Sequence, residues 1–189
     1  MSSKAEMLAA LKSVALPEHP MPNINIAPRL DDLIGQYEAG LNACGGTFIK
    51  DNALAALQTQ VDSLVAEGKQ VISRIDAIKG NREVPSDPHA LKDINYAVLP
   101  GELGVAENGA IWVTEALAGV RIAPFICENL MLVIKADDLV ANMHQALSKI
   151  SLDDTGFGVF IAGPSKTADI EQALVIGAHG ACTLNVYLI

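Results

Sequence analysis

The sequence predicts a single α/β domain, a largely parallel sheet flanked by helices, with a short helical arm ahead of it. Three observations carry that expectation. By the period of their apolar positions, residues 30–75 run helix, strand, helix, strand, the order that builds parallel sheets. From 96 to 135, short β-prone runs recur between turn residues. Near the end the chain alternates cleanly, with Cys182, Leu184, Val186 and Leu188 inward and Thr183, Asn185 and Tyr187 outward, which describes a strand with one wetter face.

Taken in order, Ser3 and Glu6 match a capping box ahead of Met7, Leu11 and Val14 at helical spacing. That helix ends before Pro17, and Pro20 and Pro22 make the next segment a stiff linker. Residues 1–22 therefore read as an arm and linker, and 23–189 as the domain. An isolated helix this short is marginal in water, so it is expected to pack on the body, with a partner as the alternative. Leu30, Leu33, Ile34, Tyr37, Leu41 and Cys44 share a face of a helix that Pro28 can start and Gly45-Gly46 can stop. Thr47–Lys50 reads as a strand. A second helix follows on Leu54, Leu57, Val61, Leu64 and Val65, with Asn52 near its start and Gly68 past its end, and Val71–Ile75 is the next strand.

Residues 79–93, with Pro85 and Pro88, form a surface loop with one helical turn. Strands are expected at Tyr96–Leu99, Leu103–Ala106, Ala110–Val113 and Met131–Lys135. A helix is expected from Asp137 to Lys149, its end charges matched to the dipole. Phe157–Ala162 is another strand. Thr167–Gly177 is expected as a helix before the last strand, with Asp169 and Glu171 in its first turn.

Half of the 189 residues are hydrophobic and 19% are charged, so the chain can bury a core of its own. A net charge of −9 gives no basic footprint for nucleic acid or an anionic membrane surface, and one Trp, three Tyr and four Phe leave little for base stacking. No run reaches membrane-spanning length and no secretory pattern opens the chain, so a cytoplasmic protein is expected. Cys44, Cys127 and Cys182 stand too far apart for a self-contained metal or iron–sulfur site; all three are expected as packed core residues. Neither a metal nor a redox cofactor of its own is expected.

Two constellations could carry chemistry. Gly163-Pro164-Ser165-Lys166-Thr167 lies between an expected strand end and helix start, where free backbone N–H groups and a lysine can hold a small anion. A capped strand-to-helix turn is the plainer reading. Glu107-Asn108-Gly109 sits between apolar runs as a hairpin turn. It also presents a carboxylate able to act as base or nucleophile if partly desolvated. His179, in a glycine-rich turn with Gly180, is either an exposed turn histidine or a pocket-lining proton donor. His144 is expected half-buried on its helix beside Val140 and Leu147. His19 and His89 add no metal spacing.

The string GPSKTADIE followed by GAHGA resembles the LUD domain family, typified by the lactate-utilisation protein C subunit. Gly163 through Glu171, His179 and Gly180 stand at the family's motif positions. GVAENGAIWV is similar to a second family segment, with Asn108 and Ala110 where the family has threonines, and Arg121–Leu130 resembles a third. Ala181 replaces a family proline. The similarity spans roughly residues 95–188. It implies a fold like the ribose-5-phosphate isomerase and CoA-transferase group. It also implies an accessory, small-anion-binding role in bacterial lactate oxidation to pyruvate, beside partner subunits that carry iron–sulfur clusters. The Glu-Asn-Gly string is in addition similar to the segment in which CoA-transferases carry a nucleophilic glutamate. That similarity implies Glu107 as the catalytic residue of a free-standing CoA-transferase-like or sugar-phosphate-type enzyme. A small-ligand binding module is the third possibility. The candidate ligand-binding residues are Asn108, Gly109, Gly163, Pro164, Ser165, Lys166, Thr167, His179 and Gly180.

Overall fold

Helix α1 (Ser3–Ser13) forms at the capping box, but none of its residues is buried, and Met7, Leu11 and Val14 are all exposed. The expected packing on the body is not what the structure shows: a stripe with so few large side chains, set off by a proline-rich linker, covers nothing here. The computed structural model describes residues 3–14, 19–20, 22, 24, 26–85, 87–151, 156–168 and 174–189.

Helix α2 (Leu33–Ala43) begins later than Pro28, because Asp32 adopts a left-handed conformation and its side chain accepts the Gly35 N–H at 3.1 Å. Leu30 is left outside it and exposed. Strand β1 (Thr47–Ile49), helix α3 (Ala53–Ala66), strand β2 (Val71–Ser73), a 3-10 turn at Pro88–Leu91 and strand β3 (Tyr96–Pro100) follow as expected. A hairpin of β4 (Leu103–Val105) and β5 (Ala110–Thr114) leads to two short helices, α4 (Glu115–Ala118) and α5 (Ala123–Ile126), and then to β6 (Asn129–Ile134).

The helix expected from Asp137 to Lys149 is shorter. Ala136–Asp138 is a 3-10 turn, Leu139–Val140 forms strand β7, and α6 spans only Met143–Lys149. Asn142 sets the start: its side chain accepts the Gln145 N–H at 3.0 Å, an N-cap geometry that asparagine favours over a helix interior.

After β8 (Gly158–Ile161), the expected Thr167–Gly177 helix is replaced by an antiparallel pair. Strand β9 (Lys166–Ala168) faces β10 (Leu174–Ile176), with Thr167 opposite Val175. Thr167, Val175 and Ile176 are β-branched and prefer the extended backbone. Asp169 and Glu171 lie outside the described residues. Strand β11 (Thr183–Leu188) closes the chain.

Strands β1, β11, β6, β3 and β2 pair in that order, all parallel, and the apolar alternation of each sets the two faces. On one face, Val71, Val98, Met131, Val133 and Tyr187 meet Leu57, Val61 and Leu64 of α3. On the other, Ile72, Leu99, Leu130, Leu132 and Val186 meet Tyr37 and Leu41 of α2 together with Ile111 and Val113. Those last two belong to a second, four-stranded sheet in the order β7-β4-β5-β8, whose far side packs Val105, Trp112 and Val140 against Ala146 of α6. The result is a mixed α/β domain with helices on both sides of a parallel sheet.

The final strand is wet only at the start of its outward face, where Thr183 is exposed and Asn185 half-buried. It lies between β1 and β6, so α3 covers Tyr187, which is 1% exposed and donates its hydroxyl to the Gln60 side chain. Cys182, expected inward, is exposed just before the strand, and Cys44 is half-buried at the end of α2. Only Cys127 is a core cysteine. No helix among the described residues is long and apolar enough to cross a membrane.

Candidate functional site

The Glu107 hairpin is held by backbone contacts on both sides. Gly109 closes a four-residue turn, its N–H donating to the Val105 carbonyl at 2.9 Å with φ +67°. This is not a two-residue Asn-Gly turn: Asn108 does not take positive φ, and its side chain accepts the Ala110 N–H at 3.0 Å. A Cβ at Gly109 would collide with the backbone of Leu41, so the absent side chain is what lets α2 lie directly on the turn. Glu107 is exposed. One carboxylate oxygen, Oε2, accepts the Met143 N–H at 2.9 Å and so holds an orphan donor of the first turn of α6. Its carboxylate lines a cavity of about 500 Å³ shared with Arg29, Gln36, Asn142 and His144. His144 is exposed there, not half-buried, because α6 begins only at Met143 and Val140 belongs to a strand.

The second motif packs on the end of the same helix. Gly163 has φ +72°, and a Cβ there would run into the Cys44 carbonyl at the C-cap of α2. Lys166 donates its ammonium to that same carbonyl, so its charge serves the negative end of α2 rather than an incoming anion. The Cys44 thiol reaches the Asn108 carbonyl at 3.5 Å. Helix α2 thus joins both motif loops, yet they open onto different cavities. With β9 where a helix was expected, no helix N-terminus stands behind Gly163–Thr167 among the described residues, and the anion-site argument from such a terminus has no support there.

What the structure does bring together is the C-terminal signature. The Ser165 N–H donates to Ala181 at 2.8 Å, and Gly177 donates back to Ser165 at 3.0 Å. Gly163, Pro164, Ser165, His179 and Gly180 line one cavity of about 220 Å³ with Pro124 and Phe125 of α5. Lys166 and Thr167 lie outside it, as do Asn108 and Gly109. His179 is exposed and is the one titratable side chain among the described lining residues. Phe125 also borders two neighbouring cavities, one toward Arg121 and Phe157 and one toward Cys182. Reasoning from sequence gave no site role to Arg121, Phe125 or Phe157. The similarity of Arg121–Leu130 to a family segment was the available signal.

Burial pushes the Cys127 thiol up to about 12, which keeps it protonated and unreactive at neutral pH. Among the described residues no group of three His, Cys, Asp or Glu is placed to hold a metal ion.

The geometry can be set against known proteins. A solved structure of a DUF162 family protein from Deinococcus radiodurans matches the fold with a TM-score of 0.60 at 13% identity, over 83% of this chain and 96% of that one. Lactate utilization protein C of Bacillus pumilus is 33% identical over 91 residues, 45% of this chain and 38% of that protein. The Bacillus subtilis protein of the same name is 29% identical over 112 residues, 56% of this chain and 45% of that protein. The matched stretch spans less than half the length of these relatives. The LUD domain model matches residues 89–189, which takes in the hairpin, the Arg121–Leu130 stretch and both halves of the C-terminal signature. The chain belongs to the LUD domain family.

Proposed function

We propose that this chain is a component of a bacterial lactate-utilisation system that binds a small organic anion and leaves redox chemistry to iron–sulfur partner subunits. The observation that carries this reading is the convergence of Gly163–Ser165 and His179–Gly180 on one small cavity beside Phe125. The relatives named lactate utilization protein C supply the physiological setting. An anion in this cavity would meet the His179 imidazole; the Ser165 N–H and the Lys166 ammonium are already engaged.

Three measurements test it. The tagged chain recovered from lactate-grown cells should bring iron–sulfur proteins with it, and deletion should abolish growth on lactate. Unimpaired growth with no such partner overturns the physiological reading. For the site, L-lactate at about 100 times its Kd should add roughly 2.7 kcal/mol to the stability of the chain, and His179→Ala should remove most of that gain.

A second reading rests on Glu107, whose carboxylate borders the larger cavity. Here the glutamate would act as nucleophile in a CoA-transferase-like reaction. Glu107→Gln keeps an acceptor for the Met143 N–H while removing the nucleophile, so it should fold normally and lose any such activity completely. A fully active variant ends that reading.

A further inference from the structure

The Glu107 turn is clamped between two helices. From behind, a Cβ at Gly40 would lie 2.8 Å from the Gly109 nitrogen and 2.9 Å from the Ala106 carbonyl oxygen, so α2 rests on the turn backbone itself. In front, the turn pairs with the chain entering α6. The Ala106 N–H donates to the Val140 carbonyl at 2.8 Å, and the Glu107 N–H donates to the Ala141 carbonyl at 3.0 Å. These bonds fix the Glu107 backbone, but backbone pairing does not set side-chain torsions. The carboxylate is held by the Met143 N–H, which donates to Oε2 at 2.9 Å.

That N–H is aimed by the residue before it. Asn142 is 8% exposed, lines the same cavity as Glu107, and accepts the Gln145 N–H through its side chain at 3.0 Å. In return the Gln145 side chain accepts the Ala141 N–H at 2.8 Å, the residue whose carbonyl receives Glu107. This two-way cap makes Met143 the first residue of α6. Starting the helix one residue earlier or later would turn the first N–H by about 100°, away from Glu107. We propose that Asn142 is a positioning residue for Glu107: by fixing where α6 begins, it aims the Met143 N–H at Oε2 and so sets the carboxylate in the cavity. This role rests on the reading of Glu107 as the reacting carboxylate and supplies the group that prepares it.

Met143→Pro isolates the bond. Proline suits the first position of a helix, and Asn142 already has the extended backbone that a following proline requires, so the variant deletes the donor and keeps the helix start. Carboxyl groups of the full chain, without substrate, are coupled to glycinamide by a water-soluble carbodiimide and read by peptide mass mapping, with exposed Glu67 as the internal standard. An N–H bonded to a carboxylate oxygen withdraws charge from it. Its loss should therefore speed coupling at Glu107 at least ~fivefold relative to Glu67, the factor that about 1 kcal/mol gives. Asn142→Ala should do the same, while Asn142→Ser, which keeps a capping oxygen, should stay within ~twofold of the native rate. If Asn142 serves only the stability of the fold, the alanine variant will melt lower with its coupling rate unchanged, and that result overturns the proposal. So does a native rate in Met143→Pro, or an Asn142→Ser variant as fast as Asn142→Ala. Because no substrate is present, a failed transfer assay and a failed positioning test are separate results.

Discussion

Tyr37 places its phenol between the two sheets, fully buried, with no hydrogen-bond partner for its hydroxyl among the described residues. Burial also drives its ionisation above the ordinary phenol range. An unsatisfied buried hydroxyl costs roughly 1–3 kcal/mol, while the ring itself packs against Phe48 at 5.6 Å between centroids. Tyr37→Phe keeps the ring and removes the orphan. Stability in urea should stay level or rise by up to about 1 kcal/mol, and a loss of more than that would reveal a partner for the hydroxyl. Sequence showed Tyr37 on the inward stripe of its helix, because a 3.6 period reports which way a residue faces. It could not show that the hydroxyl lacks a partner, since that depends on strands far away in the chain. Glu107 marks the same boundary. Its turn was legible in the string Glu-Asn-Gly, but its bond to the Met143 N–H joins positions 36 apart in sequence.

Among the elements, those read correctly were the ones whose apolar pattern is also their contact pattern, such as Leu57, Val61 and Leu64 on α3. The misread ones lie where a few apolar residues fit both periods. Leu139 and Val140 were counted into a helix but pair with Gly104 and Val105 of the second sheet. Likewise, the hairpin of β9 and β10 occupies the segment whose spacing suggested a helix. The two readings differ in distance. Thr167 and Val175 are directly opposed across the hairpin, whereas eight residues of α-helix would separate them by about 12 Å. A disulfide needs its Cα atoms within about 7 Å. Cysteines introduced at 167 and 175, in a chain with Cys44 and Cys182 changed to serine, should therefore cross-link under mild oxidation, as read by peptide mass mapping. Two free thiols after oxidation would restore the helix.

Across the whole molecule, the parallel sheet was legible because short runs such as Val71–Ser73 and Leu130–Ile134 are apolar on both faces, as strands covered on both sides must be. Of the second sheet, β4, β5 and β8 were legible as strands and β7 was not, and the sheet's stacking between the parallel sheet and α6 depends on contacts distant in sequence. Helix α1 was legible as a helix but not in its packing, and there the alternatives differ by a measurable amount. Burying Met7, Leu8, Leu11 and Val14 on the body would contribute roughly 1.5–3 kcal/mol each, and a change of 1 kcal/mol moves the Tm of a domain this size by about 2–4 °C. A packed arm would thus cost well over 10 °C on removal. In the structure these four side chains remain between 48% and 70% exposed, and α1 contributes nothing to the core. Deleting residues 1–14 should leave the melting temperature within about 2 °C of the full chain in a calorimetric scan. A fall beyond about 5 °C would show that the helix docks on the domain after all. An unchanged melting temperature combined with loss of an iron–sulfur partner in the recovery experiment would assign the exposed Met7, Leu8, Leu11 and Val14 to that partner.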